Sequence, residues 1–187
     1  MRTRTQNARI RITAGALAGA SLAAGVLAAG LGRSENPWGE VLARLQGARF
    51  HGAGGVRQQA ANDCGPAALA HCLRRLGRAA PYPDPDGRLT PGPRGCTFAE
   101  LAAEARRLGW PVRVRRIVPA RLGDVALPAI LWLRRGHFVV VEGRTPDGRW
   151  LGHDPALGRV SWTPEALERA WGGEILHGAP IGRSGTE

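Results

Sequence analysis

The chain has 187 residues and a formal net charge of +11, from 26 basic residues against 15 acidic ones; every basic residue is Arg, because the sequence contains no Lys. The length suits one ordinary domain with an extension, and a hydrophobic content of 43% supplies a core. Five Arg and no acid fall in the first 33 residues, leaving 21 Arg against 15 acids elsewhere. That excess reads as a solvated surface, and with no recognition motif beside it nucleic acid is not an expected partner.

Residues 1–12 form a basic flank with Arg2, Arg4, Arg9 and Arg11, followed by the uncharged run Thr13–Leu31. Such a run is membrane-directed: long enough to span as a signal anchor, with small residues at Ala28 and Gly30 that also suit a cleaved signal peptide. Either fate predicts delivery of the following domain outside the cytoplasm, membrane-anchored or secreted. Residues 32–55 read as a linker, with a short amphipathic helix over Glu40–Leu45 and a flexible stretch from His51 to Gly55. The expected domain covers 56–178, and 179–187 form a polar, Gly-rich tail.

The domain opens on Gln58-Gln59-Ala60-Ala61-Asn62-Asp63-Cys64-Gly65-Pro66-Ala67-Ala68-Leu69. Apolar residues at 67, 68, 69, 72, 73 and 76 have helical spacing, and Gly77 is a natural stop. Pro66 is tolerated only in a first turn, so Cys64 lies at the helix N-terminus. There the unpaired N–H groups and the positive end of the helix dipole favour the thiolate, the form that attacks a carbonyl. Gln58, six residues upstream, could offer a side-chain N–H to a developing oxyanion, with Gln59 second to it. His71 lies about 10 Å further along the helix axis, too far to act as a base for Cys64. Three cysteines are too few for a disulfide framework. Cys72, on the inner face of the same helix, reads as core packing, with a Cys72–Cys96 pair as the alternative. No CxxC spacing or clustered His supports a metal site, and neither metal nor cofactor is expected.

Residues 78–95 hold five Pro and exclude a helix or central strand. Thr97-Phe98-Ala99-Glu100 is a capping box for a helix closed by Gly109. Val112–Ile117 alternates as a strand, and Leu122–Val125 reads as a turn. The apolar runs 127–133 and 138–141, split by Arg134-Arg135-Gly136, predict a buried hairpin whose second strand opens at His137. A third strand ends at His153-Asp154-Pro155, and Arg159–Trp162 continues the sheet. His153 neighbours Asp154 but points to the opposite face in a strand. Thr163-Pro164-Glu165 starts a helix that turns Leu167, Ala170 and Trp171 inward and stops at Gly172-Gly173.

A nucleophile on an N-terminal helix, followed by an antiparallel sheet bearing His and then an acid, builds a two-lobed hydrolase. Cys64 would attack, His137 would pair with the thiolate and protonate the leaving amine, and Asp154 would orient the imidazole. Gln58 and the Cys64 N–H would hold the oxyanion.

Three stretches carry a family resemblance: Gln58…Asp63-Cys64-Gly65-Pro66-Ala67-Ala68-Leu69, then Gly136-His137-Phe138-Val139-Val140-Val141, then Asp154-Pro155-Ala156-Leu157-Gly158. In this order they resemble the motifs of the C39 cysteine peptidases, over roughly residues 56–176. The resemblance implies a papain-like α+β fold, the same four roles for Cys64, His137, Asp154 and Gln58, and cleavage after Gly-Gly in leader peptides. It also implies a peptide substrate and an ABC exporter, here a separate partner because a sequence without Lys has no GxxxxGK[ST] loop. Two other outcomes stay open: a non-catalytic C39-like module that binds peptides for an exporter, and acyl transfer by the same triad.

Overall fold

The computed structural model describes residues 43–44, 47–84 and 87–178. The expected basic flank, membrane-directed run, tail and most of the linker lie outside these residues. Of the helix expected over 40–45, only Ala43 and Arg44 are described, and both are helical. Among the described residues no helix is long and apolar enough to cross a membrane.

One sheet with helices on both of its faces organises the rest. The elements are β1 (Ala48–Phe50), α1 (Cys64–Arg75), α2 (Phe98–Arg107), β2 (Val112–Arg116), a 3-10 helix (Pro119–Asp124), β3 (Ala129–Leu133), β4 (His137–Arg144), β5 (Trp150–Asp154), β6 (Gly158–Trp162), α3 (Pro164–Ala170) and β7 (Trp171–Gly178). The seven strands form one antiparallel sheet in the order β1-β6-β5-β4-β3-β7-β2. Strand alternation divides the core in two. Ile130, Val140 and Leu176 join the cluster under α1 and α2, whereas Leu131, Leu133, Val139, Val141 and Ile175 join the one under α3 with Trp150, Trp162 and Trp171. With both faces covered, β3 and β4 read as nearly continuous apolar runs.

Helix α1 is buried from Cys64 through Leu73. Its small residues let it settle closely on β4, with the Pro-rich loop residues Tyr82 and Leu89 packed against the same cluster. It runs alongside β4 in the same direction: a Cβ at Gly65 would lie 3.2 Å from Phe138, and His71 bonds Glu142. This alignment carries the helix N-terminus to the start of β4. Helix α2 begins with the expected capping box, Thr97 and Glu100 bonding each other's backbone N–H.

Three elements differ from the sequence reading. Trp171 is not the last inward residue of α3 but the first of β7, and Gly172-Gly173 continue as strand. Gly173 is required by close approach: at φ +96°, a Cβ there would meet the Ile117 carbonyl oxygen at 2.3 Å. The linker contains β1, paired with β6, and the 122–125 turn is the end of the 3-10 helix. Both strands depend on remote partners that local pattern does not display. All three cysteines are free, so the Cys72–Cys96 alternative is not formed; Cys72 is fully buried, as core packing requires.

Gly152 pins β5 to β4, because a Cβ there would sit 2.0 Å from the Val140 carbonyl oxygen and 2.9 Å from the Trp162 ring. Gly152→Ala is therefore expected to spread the strands and destabilise the domain by about 3 kcal/mol or more, read as a lower denaturant midpoint. A midpoint within error of the parent would show that the two strands yield freely.

Candidate active site

His137 opens β4 and Asp154 closes the adjacent antiparallel β5, so both lie at one end of the sheet, where the α1 N-terminus arrives. His137 Nε2 is 2.7 Å from Asp154 Oδ1. Cys64 is the other group coupled to this ring: His137 lowers the thiol, and the sulfur in turn raises the imidazole. With Nε2 committed to Asp154, Nδ1 is the nitrogen left for sulfur. The carboxylate enforces this tautomer, because an acceptor at one ring nitrogen fixes the proton there.

The charges follow from these contacts. Burial pushes the Cys64 thiol up, but His137 and the backbone N–H groups of Phe138 and Gly65 outweigh it and bring it below an ordinary thiol. For His137, burial favours the neutral ring, yet the Asp154 bond and the Cys64 sulfur raise it to about 9. Asp154 is 0% exposed. Burial would neutralise it, but the bond from His137, the Ala156 N–H at 2.8 Å and Arg135 Nη2 at 3.4 Å hold it below the usual carboxylate range. An imidazolium between a thiolate and a carboxylate suits nucleophilic attack followed by proton donation.

Gln58 reaches this end through a strap over the end of β5: its backbone N–H donates to the Pro155 carbonyl at 3.0 Å. Its Nε2 donates to the Ala60 carbonyl at 2.8 Å, and its Oε1 is buried without a hydrogen-bond partner. Gln59, the second candidate, is exposed and is held by its backbone N–H to Asp63 and Tyr82. The sequence reading passed over Asp63 and Tyr82. Asp63 precedes α1 but does not cap it; its carboxylate turns back to accept from the Gln59 and Ala60 N–H groups and from the Tyr82 hydroxyl at 2.6 Å. The signal was available in one respect: Tyr82 is the only Tyr of the chain, set in an otherwise irregular Pro-rich loop.

The remaining histidines are engaged elsewhere. His71 bonds Glu142 Oε1 at 2.7 Å, accepts from the Val56 N–H, and stacks on His153 at a 4.0 Å centroid distance. His153 donates through Nε2 to the Val56 carbonyl at 2.6 Å, on the opposite side of β5 from Asp154. Together the two rings grip the strap at Val56. Among the described residues no group of three His, Cys, Asp or Glu side chains is placed to hold a metal ion.

A Cys-bearing helix end facing a His–Asp pair across an antiparallel sheet defines a papain-like cysteine peptidase fold. Residues 54–181 match the family described as Peptidase C39 family. The chain belongs to that family. Among solved structures it is similar to a double glycine motif protease from an AMS/PCAT transporter, crystallised in complex with the leader peptide; identity is 26%, coverage 66% of this chain and 89% of that one, and TM-score 0.62. It also shares the fold of the peptidase domain of Streptococcus ComA, a bi-functional ABC transporter involved in a quorum sensing pathway, at 22% identity over 67% of this chain and 96% of that one, TM-score 0.59. No curated protein sequence matches the chain.

Proposed function

We propose that the domain is a cysteine peptidase that hydrolyses a peptide bond after Gly-Gly in a leader peptide, with an ABC transporter as its partner. The observation that carries the chemistry is the His137 ring, 2.7 Å from the buried Asp154 carboxylate and coupled to the Cys64 thiol, which it lowers. Family membership supports the peptidase class, and the double glycine motif protease supports the substrate. Cys64 attacks the carbonyl carbon, the oxyanion accepts from the Cys64 N–H and Gln58 Nε2, and His137 protonates the departing amine; water then releases the acyl group. Gln58 Nε2 leaves the Ala60 carbonyl for the oxyanion, a swing that its unpartnered Oε1 does not oppose. The basic flank and uncharged run at the N-terminus support placement outside the cytoplasm, anchored or released.

The test is incubation of the full chain with peptides that contain Gly-Gly and with Ala-Ala counterparts, read by mass spectrometry. Cleavage after Gly-Gly that disappears in Cys64→Ala is expected. Gln58→Ala should lower kcat by about 10^2-fold with little change in KM, because the oxyanion exists only on the way to product. Intact peptides, together with a Cys64 that alkylates no faster than free cysteine, would overturn the reading.

A further inference from the structure

Arg57 lies beside the proposed site, and no role above uses it. Its guanidinium takes three consecutive carbonyls of the turn that follows Asp154: Nε donates to Pro155 at 3.2 Å, Nη1 to Leu157 at 2.8 Å, and Nη2 to Ala156. The same turn is closed by the Leu157 N–H on the Asp154 carbonyl at 3.0 Å, and it presents the Ala156 N–H to Asp154 Oδ1 at 2.8 Å. Three carbonyl dipoles gathered on one side repel one another and the nearby carboxylate. A planar cation with a fixed fork of donors cancels that repulsion and fixes the directions, which a single ammonium cannot do at three acceptors. The neighbouring residue in the strap is Gln58, whose N–H shares the Pro155 carbonyl with Arg57. One side chain thus links the strap that carries the proposed oxyanion donor to the turn that follows the proposed orienting acid.

We propose that Arg57 is a positioning residue: its three-carbonyl grip sets the Asp154 carboxylate against His137 and holds Gln58 in register with it. The assignment rests on the peptidase reading. The charged groups facing Asp154 are then His137 on β4, Arg135 in the β3–β4 turn and Arg57 in the strap.

The test uses iodoacetate, which needs no knowledge of the substrate. As an anion it reacts fastest with Cys64 while His137 is an imidazolium, so its rate falls on the alkaline side as His137 loses its proton. In the full chain this limb lies near 9. Arg57→Ala is expected to move the limb downward, because a displaced Asp154 supports the imidazolium less well. It should also lower kcat per alkylatable site by about 10^2-fold with KM nearly unchanged, as for a catalytic group misplaced by about an ångström. Arg57→Lys keeps the charge but not the fork, and should resemble Arg57→Ala in kcat. If Arg57→Ala does not fold, Arg57→Lys carries the test alone. A limb and kcat equal to the parent's in the folded variant, or full rescue by Lys, would overturn the assignment. A parent chain with no rapid, pH-dependent alkylation would instead refute the peptidase reading.

Discussion

Replacing His137 by Ala is expected to lower kcat/KM for peptide cleavage by roughly 10^4-fold, and to slow Cys64 alkylation at neutral pH to the rate of an unactivated thiol. The size of the effect comes from two functions in one ring. The imidazolium lowers the Cys64 thiol, and on the proposed mechanism it is also the proton source for the leaving amine. In the intact chain the thiol lies below its ordinary value and His137 is raised to about 9, both of which favour the thiolate–imidazolium form of the pair. Falling pH protonates the sulfur and ends attack. Rising pH through about 9 removes the proton that the amine needs. The proposed cleavage is therefore expected to be bell-shaped with its alkaline limb near 9, while the uncharged reagent iodoacetamide, which needs only thiolate, should keep reacting above it. The same shift has a stability counterpart. A histidine raised from its ordinary 6.5 stabilises the folded chain fully below 6.5, and that contribution is lost as pH climbs to about 9. A cleavage profile without an alkaline limb near 9, or an Ala variant that still alkylates rapidly, would refute the pair.

Asp154→Ala should reduce kcat/KM on the order of 10^3-fold, and Asp154→Asn far less. Ala removes the acceptor from His137 Nε2 and from the Ala156 N–H, and leaves Arg135 beside a neutral cavity. Each buried donor left unpaired costs about 1–3 kcal/mol, so the melting temperature falls along with activity. Asn has nearly the same shape, and its side-chain carbonyl can still accept from Nε2. What it loses is charge, so His137 drops from about 9 and the alkaline limb moves to lower pH while much of the rate at neutral pH survives. Paired kcat/KM profiles of the two variants separate orientation from charge. Equal losses in both would show that charge alone matters.

The Cys-bearing helix, the capping box of α2 and the β3–β4 hairpin were legible because each is written locally: periodicity, caps, and apolar runs broken by Gly136. The four site candidates were legible as residue types in order along the chain. The convergence of Cys64, His137 and Asp154 on one end of the sheet was not, since it depends on α1 lying alongside β4 and on β4 and β5 sharing an end. Arg57, Asp63 and Tyr82 went unremarked for a different reason. Arg57 and Tyr82 reach across to distant segments, while Asp63 turns back on its own approach instead of capping the helix; an Arg before a Gln or a Tyr among prolines has no pattern that names its partner. The stop assigned to Gly172-Gly173 failed because glycine marks close approach as readily as it marks a helix end.

Strand β7 stands between β3 and β2, yet it is the last of the seven to be synthesised. Until Gly178 has left the ribosome, β2 has no neighbour and the Ile130–Leu131 edge of β3 is bare. Pairings this distant in sequence form late, and a waiting apolar edge invites pairing with other chains. Cys64 is therefore made early but seated late. A nascent chain, or one clipped before β7, carries the thiol without the finished sheet, so the proposed site is seated only once β7 has been made.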